Sequence, residues 1–380
     1  MKAAYITAQG GPDVLRVGTL PDPHPGAGEV RIAVQAAALN HLDLWVREGI
    51  PGVEVRFPRI LGADAVGALE ALGPGAGKAL RRQPAPTGSG RPLAEGDRVV
   101  LNPGLSCGAC EFCTRGDSSL CIRYRLLGEH VDGTLAEYVV VPAANVYPAP
   151  ERLTLEQCAA FPLVYLTAWR MVRVRGRLAP GETVLVHGVG GGVASAALLI
   201  AVAAGGRVMA TSSSDAKLAR AHELGAERTV NYAREDVLAA VRDWTARRGV
   251  DLVIDSVGGT TWSLSLDAAV RGGRIVTCGA TADSDPPARI NRIFWKQVDV
   301  LGSTMGNRDD FRAVLECLAA GELTPVVDSV FPLDRTAEAL ARLESGAQFG
   351  KVVVEVAATV EDRRAASAAG RGAEAPEVES

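Results

Sequence analysis

Four cysteines, Cys107, Cys110, Cys113 and Cys121, fall within fifteen residues with the spacing CxxCxxCx7C. Four thiolates can close a tetrahedral shell around Zn²⁺ and leave no position open for water, so a site of this kind is structural and not catalytic. The residues between them are small or polar (Gly108, Ala109, Gly116, Asp117, Ser118), as a loop wrapped round an ion requires. A disulfide pair and four free core thiols are the competing readings. Cys158, Cys278 and Cys317 are scattered in apolar or strand-like contexts and read as buried thiols in a reducing compartment.

A second constellation begins at the apolar run Thr183 to His187, followed by the glycine cluster Gly188 to Gly192 and an apolar helical stretch from Val193. Glycines let backbone approach a pyrophosphate, and the N-terminus of the next helix offers it free N–H groups. The run Arg207 to Thr211 leads into Ser212, Ser213 and Ser214, with Lys217 close behind and Tyr232 fifteen residues later. NAD enzymes place a carboxylate here for the ribose 2′-hydroxyl. Hydroxyls and an ammonium would instead take a 2′-phosphate. The expectation is NADP(H), with Asp215 as the counter-signal.

Positioning these groups calls for two kinds of structure. Residues 1–165 carry short β-like runs, among them 30–34, 65–70, 98–101 and 137–142, punctuated by Gly and Pro. They predict a mostly β domain that contains the cysteine lobe, 107–121. The Pro/Gly/Ser-rich stretch 74–96 reads as an exposed loop. From Glu182 apolar runs recur every twenty to twenty-five residues at 183–187, 207–211, 228–231, 251–255, 274–278 and 298–301. Helical stretches such as 215–224 and 235–247 alternate with them. Six strands with crossover helices predict an α/β fold with a doubly wound parallel sheet over 166–304. Residues 305–357 return to helix and strand. Residues 358–380 lack any apolar period and predict a disordered tail.

Several motifs together resemble the medium-chain dehydrogenase/reductase superfamily. They are the cysteine spacing, Asn40-His41-Leu42-Asp43, Leu61-Gly62-Ala63-Asp64-Ala65-Val66-Gly67, Leu166-Thr167-Ala168-Trp169, the stretch Val186 to Val193, and Phe349-Gly350-Lys351-Val352-Val353. The superfamily includes zinc alcohol dehydrogenases and zinc-free quinone and enoyl reductases. The likeness implies a GroES-like catalytic domain with a structural zinc lobe, a Rossmann domain, and a return of 305–357 to the first domain. Against the family's GxGxxG, the three positions hold Val189, Gly191 and Ala194. The resemblance also implies that the catalytic zinc ligands fall at Asn40, Ala63 and Leu163, and a proton-relay hydroxyl at Leu42. Two of the three ligand positions have no donor atom.

What the likeness leaves is a nicotinamide beside Asn40, Tyr165 and Thr167, the expected catalytic residues. Asn40 matches the asparagine of quinone reductases. Hydride transfer to a quinone or an activated C=C needs no metal, only orientation and hydrogen bonds to the developing oxyanion. Tyr165 and His41 are candidate proton donors, and no tyrosine stands in 46–51, where enoyl thioester reductases carry one. The expected cofactor surface comprises His41, Thr167, Val189, Gly191, Gly192, Val193, Ser212, Ser213, Lys217, Tyr232, Gly258, Cys278, Gly279 and Lys351. A metal site improvised from His41, Asp43, Asp64 and His130 is weighed against structural uses of those residues. The alternatives to a reductase are an alcohol dehydrogenase with unusual ligands and a non-enzymatic NADPH-binding protein.

The 380 residues suffice for two domains, and 47% hydrophobic with 22% charged residues is ordinary globular composition. A formal net charge of −4 argues against a nucleic-acid partner. The most apolar stretch, 193–204, is too short to span a bilayer, and the N-terminus lacks the apolar core of a signal peptide. The expectations are a cytoplasmic protein with a small-molecule substrate, one structural Zn²⁺, and a homodimeric or homotetrameric state.

Overall fold

The computed structural model describes residues 1–81 and 91–356. The expected tail, 358–380, and the middle of the 74–96 loop lie outside the described residues. The N-terminal half of that loop is not all exposed coil. Ala76–Leu80 forms a short helix that buries Ala76 and Leu80.

The small and β-branched runs of the first half pair into a seven-stranded sheet. Its neighbours run Val146–Pro148, Arg98–Leu101, Asp64–Leu72, Glu29–Ala38, Lys351–Glu355 and Val327–Pro332, with Tyr138–Pro142 also on Glu29–Ala38. The alanine-rich end of Glu29–Ala38 is buried on both faces, which only small side chains allow between two packed layers. Both neighbours run antiparallel to it. In register, Ala38 faces Asp64 on one side and Val353 on the other. Three chain segments far apart in sequence therefore meet at one end of this sheet: Asn40 after Ala38, Asp64 opening its strand, and Lys351 opening the returning one.

The second sheet has the order Arg228–Asn231, Arg207–Ser212, Thr183–Val186, Val250–Asp255, Ala269–Thr277, Asp299–Gly302, and every pairing is parallel. This is the order 3-2-1-4-5-6, whose direction reverses beside the first strand; ligands bind there, off the carboxyl ends of the strands.

Helix Pro162–Trp169 joins the two parts. It is apolar all round and nearly wholly buried, as a helix between two layers must be. It packs on helix Gly192–Ala203 and on helix Arg308–Ala320. One apolar cluster runs through it, from Ala36 and Val66 of the first sheet to Val184 and Ile254 of the second. No helix among the described residues is long and apolar enough to cross a membrane.

Candidate active site and cysteine lobe

The cysteine lobe stands on the two-stranded ribbon of Gly104–Leu105 with Arg125–Leu126. The four sulfurs lie within 4.8 Å of one another and none forms a disulfide. Zn–S bonds of about 2.3 Å at tetrahedral angles place sulfurs about 3.8 Å apart. Here Cys107 and Cys113 are 3.9 Å apart, and Cys110 and Cys113 3.5 Å. Backbone amides turn inward, Cys107 N–H to Cys121 Sγ at 3.2 Å and Arg123 N–H to the same sulfur at 3.3 Å. Amides of Ala109 and Cys110 and the Arg123 side chain hold the Cys107 thiol down to about 5, in its metal-binding form. The donor set fits a closed four-thiolate shell. Burial raises Cys113 in the same lobe, like Cys158 outside it, to about 11. Among the described residues, no such group assembles from His41, Asp43, Asp64 and His130.

The cofactor crevice begins where the strand Thr183–Val186 ends. His187 is buried, its ring 3.1 Å from Ser265 Oγ, and burial lowers its pKa, so it is a neutral structural imidazole. Val189 is in the core, 1% exposed. Gly190 adopts φ +127, and a Cβ there would lie 2.8 Å from Lys217 Cδ. A Cβ on Gly192 would meet Val164 at 2.9 Å and Lys351 Cδ at 3.0 Å. Gly191 is the N-cap of helix Gly192–Ala203, and no side chain caps it. The amides of Gly192, Val193 and Ala194 therefore lack intrahelical acceptors, which fits a pyrophosphate. Asp255, closing the neighbouring strand, accepts from Val257 N–H, Gly258 N–H, Thr261 Oγ1 and Ser265 Oγ, and so shapes the turn at Gly258. Cys278 and Gly279 follow the next strand. Gly279 approaches Trp45, whose ring stacks edge-on to His41 at 4.9 Å, so the opposite wall of the crevice comes from helix His41–Glu48.

Beyond the second strand, Ser212 is buried and its Oγ accepts from Ser214 N–H at 3.2 Å, while Ser213 is exposed and Tyr232 is 53% exposed. Lys217 departs from expectation: its ammonium donates to the carbonyl of Gly346, across Gly190. Partial burial lowers its pKa. Asp215 is held by Asn231 Nδ2 at 2.8 Å and by both terminal nitrogens of Arg234 at 2.7 and 2.6 Å. Arg234, absent from the expected cofactor surface, thus pairs with Asp215, the expected counter-signal. The Arg at the third position after Asn231 was its signal.

Beside the crevice lies a buried polar cluster. Asp64 Oδ1 accepts from Leu163 N–H at 2.7 Å, and Oδ2 from Asn40 Nδ2 and Lys351 Nζ, both at 2.9 Å. Lys351 Nζ also donates to Asn40 Oδ1. Asp64 is fully buried, Lys351 3% and Asn40 5% exposed. Lys351, expected on the cofactor, therefore lays its stem along the glycine turn and turns its charge into the pocket. Asp43 accepts from Asn40 N–H at 2.8 Å and Gly62 N–H at 2.7 Å, and burial raises its pKa to about 6. Thr167 lies in the same helix as Leu163, and its hydroxyl donates to Leu163 O at 2.7 Å. Tyr165 does not join this group. Its hydroxyl donates to Thr324 O at 3.2 Å, and burial raises its pKa, so it is spoken for and poorly placed to give a proton to a substrate.

A parallel sheet of this order with an open phosphate cradle, facing a β domain with a four-cysteine lobe, defines a two-domain oxidoreductase using a nicotinamide cofactor. Residues 26–151 match the alcohol dehydrogenase GroES-like domain, and residues 192–320 match the zinc-binding dehydrogenase family. Zinc-type alcohol dehydrogenase-like protein YogA of Leptosphaeria maculans is 33% identical over 371 residues, which cover 90% of this chain and 94% of that protein. Acryloyl-coenzyme A reductase of Metallosphaera sedula is 30% identical, covering 93% and 99%. A crystal structure of an NAD-dependent alcohol dehydrogenase superposes with a TM-score of 0.87 at 44% identity, covering 94% of this chain and all of that one. The chain belongs to the medium-chain dehydrogenase/reductase superfamily.

Proposed function

We propose that this protein is an NADPH-dependent reductase of quinones or α,β-unsaturated carbonyls that works without a catalytic metal and carries one structural zinc in its cysteine lobe. One observation carries the reading. Asn40, Ala63 and Leu163 offer one amide and two hydrocarbons where the family resemblance places catalytic zinc ligands, and the ammonium of Lys351 is bonded beside them, to Asn40 and Asp64. Paired with Lys351, Asp64 is already neutralised and offers little charge to hold a second cation.

The bound nicotinamide would supply the hydride. The protein's share begins with the phosphates, which the amides of Gly192 and Val193 would hold. Ser213, Tyr232 and Arg234 would face the 2′-phosphate, and Arg234 keeps Asp215 from opposing it. The relatives named NAD-dependent weigh for NADH, so cofactor choice rests on these residues alone. Asn40 and Thr167 line the pocket where the acceptor's oxygen would sit. With Tyr165 bound to Thr324, the proton is left to water or His41. The name of the acryloyl-coenzyme A reductase relative, which describes reduction of a conjugated C=C, supports the reaction class.

Alcohol oxidation is the second reading, favoured by the names of the other relatives. Steady-state assays separate the two: NADPH consumption with a panel of enones and quinones, against NAD(P)⁺ reduction with primary alcohols. Turnover of the first panel and little of the second is expected. The opposite pattern would replace the proposal by the second reading.

A further inference from the structure

Asn40 is held between two charges that read its two ends differently. An ammonium only donates and a carboxylate only accepts. Lys351 Nζ can therefore face only Asn40 Oδ1, and Asp64 Oδ2 only Asn40 Nδ2, as the contacts show. Turning the amide over would set its NH₂ against the ammonium and its carbonyl against the carboxylate, among side chains no more than 5% exposed. The pair is itself anchored. Asp64 is fixed by Leu163 N–H at 2.7 Å, and its backbone carbonyl accepts from Thr134 Oγ1 at 2.8 Å. Lys351 opens a strand registered through Ala38 with the strand that Asp64 opens.

One hydrogen of the Asn40 amide is used by Asp64. The other meets only Ala38 O at 3.5 Å, beyond the length of an ordinary N–H···O bond. From this we infer that Lys351 and Asp64 are positioning residues: they lock the Asn40 amide so that it presents a hydrogen-bond donor, not an acceptor, to the oxygen of the substrate. The inference rests on the reductase reading and deepens it. Hydride addition to a conjugated carbonyl or a quinone moves an electron pair onto that oxygen, and the oxyanion then takes a proton from water or His41. A donor aimed there before reaction costs no reorganisation as the charge forms. A flipped amide would turn its carbonyl on the same oxyanion and repel it.

The test compares the full-length protein with three variants. Asp64→Asn with Lys351→Met removes both charges together, so neither is stranded in the core, and it erases the cues that tell the amide's ends apart. Lys351→Arg keeps the cation. Asn40→Asp removes the donor at nearly unchanged volume. Each is checked for its melting transition and NADPH affinity before kcat and KM are measured with one enone. For the double variant, kcat should fall at least about tenfold, with KM and NADPH affinity within about twofold. Asn40→Asp should lose about a hundredfold, the scale of losing one oxyanion donor. Lys351→Arg, which keeps the cation beside Asp64, should show little of the double variant's loss. The orientation is read apart from turnover by hydrogen exchange of the Asn40 side-chain amide, identified in the NMR spectrum as the signal missing in Asn40→Asp. Slow exchange of one proton in the wild type and fast exchange in the double variant are expected. A folded double variant with wild-type kcat, or a loss of NADPH affinity as large as the loss of kcat, would overturn the inference. Slow exchange in a wild type that turns over no enone or quinone would support the locked amide and bring down the reductase reading instead.

Discussion

Asn40, Asp43, Asp64 and Lys351 show how much a residue's meaning depends on partners brought from elsewhere in the chain. Asp43 and Asp64 bind backbone amides, a use open to any carboxylate beside a turn, but Asp64 also carries the ion pair to Lys351, 287 residues away. No spacing in the sequence announces that contact, because it arises from strand register. Asp43 is only 1% exposed, and its folded pKa, about 6, lies above the ordinary 3.8 because burial disfavours the charge. The native state then binds this proton more tightly than the unfolded chain does. Its contribution to stability is complete below about pH 4 and is lost as pH rises through 6. A change of that size is worth roughly 3 kcal/mol. Denaturant titrations at pH 4.5 and 7 should therefore show wild type losing stability relative to Asp43→Asn as pH rises; parallel behaviour of the two proteins would mean that Asp43 titrates as an exposed carboxyl does. Arg234→Ala should weaken NADPH severalfold and leave NADH nearly unchanged, since it uncovers Asp215 beside the 2′-position. Equal changes in the two dissociation constants would remove Arg234 from cofactor choice.

At the scale of elements, the cysteine lobe is the part most independent of the rest. Its helix Glu111–Thr114 has four residues and its ribbon two-residue strands, too little burial to hold a shape unaided. Zinc held by the four sulfurs would supply the missing stabilisation, since isolated structural zinc sites are worth roughly 10–16 kcal/mol apparent. Cys110→Ser should abolish zinc retention and lower the melting temperature. Protein that loses zinc yet melts as wild type does would speak against a structural metal. The parallel strands were legible: Arg228–Asn231 begins and ends where its apolar run does, and Arg207–Ser212 and Val250–Asp255 differ by one residue from theirs. Strands buried on both faces write themselves as continuous apolar runs. The strand Ala269–Thr277 starts five residues before the run at 274, because two glycines, Gly272 and Gly273, interrupt its apolar pattern. Helix Pro162–Trp169 was hidden for a related reason: a helix buried on every side has no polar face to give it a period. Tyr165 and Lys217 show the same limit, since the carbonyls their hydroxyl and ammonium bond, those of Thr324 and Gly346, are announced by no spacing in the sequence.

The whole molecule joins a cofactor sheet to a β domain through one shared core, with the pocket at the seam. One surface is unlike the rest. Strand Asp299–Gly302 is one of the two edges of the parallel sheet; Val300 within it and Ile290, Phe294 and Trp295 of the preceding helix Ile290–Lys296 are 40–68% exposed. An edge strand next to an apolar patch suits pairing with a second copy, in keeping with the expected homodimer or homotetramer. Phe294→Glu should shift the mass measured by light scattering toward the monomer; an unchanged mass would place any interface elsewhere. The central claim, however, concerns metal and reaction together. Its most direct measurement is zinc per chain, by elemental analysis, on the same preparation whose NADPH-dependent enone or quinone reduction is assayed, for wild type and for Cys110→Ser. Wild type should hold one zinc and the variant none, with reduction in whatever fraction of the variant remains folded. Two zincs per chain, one retained in Cys110→Ser, with primary alcohol oxidation that disappears when that second ion is chelated, would contradict it.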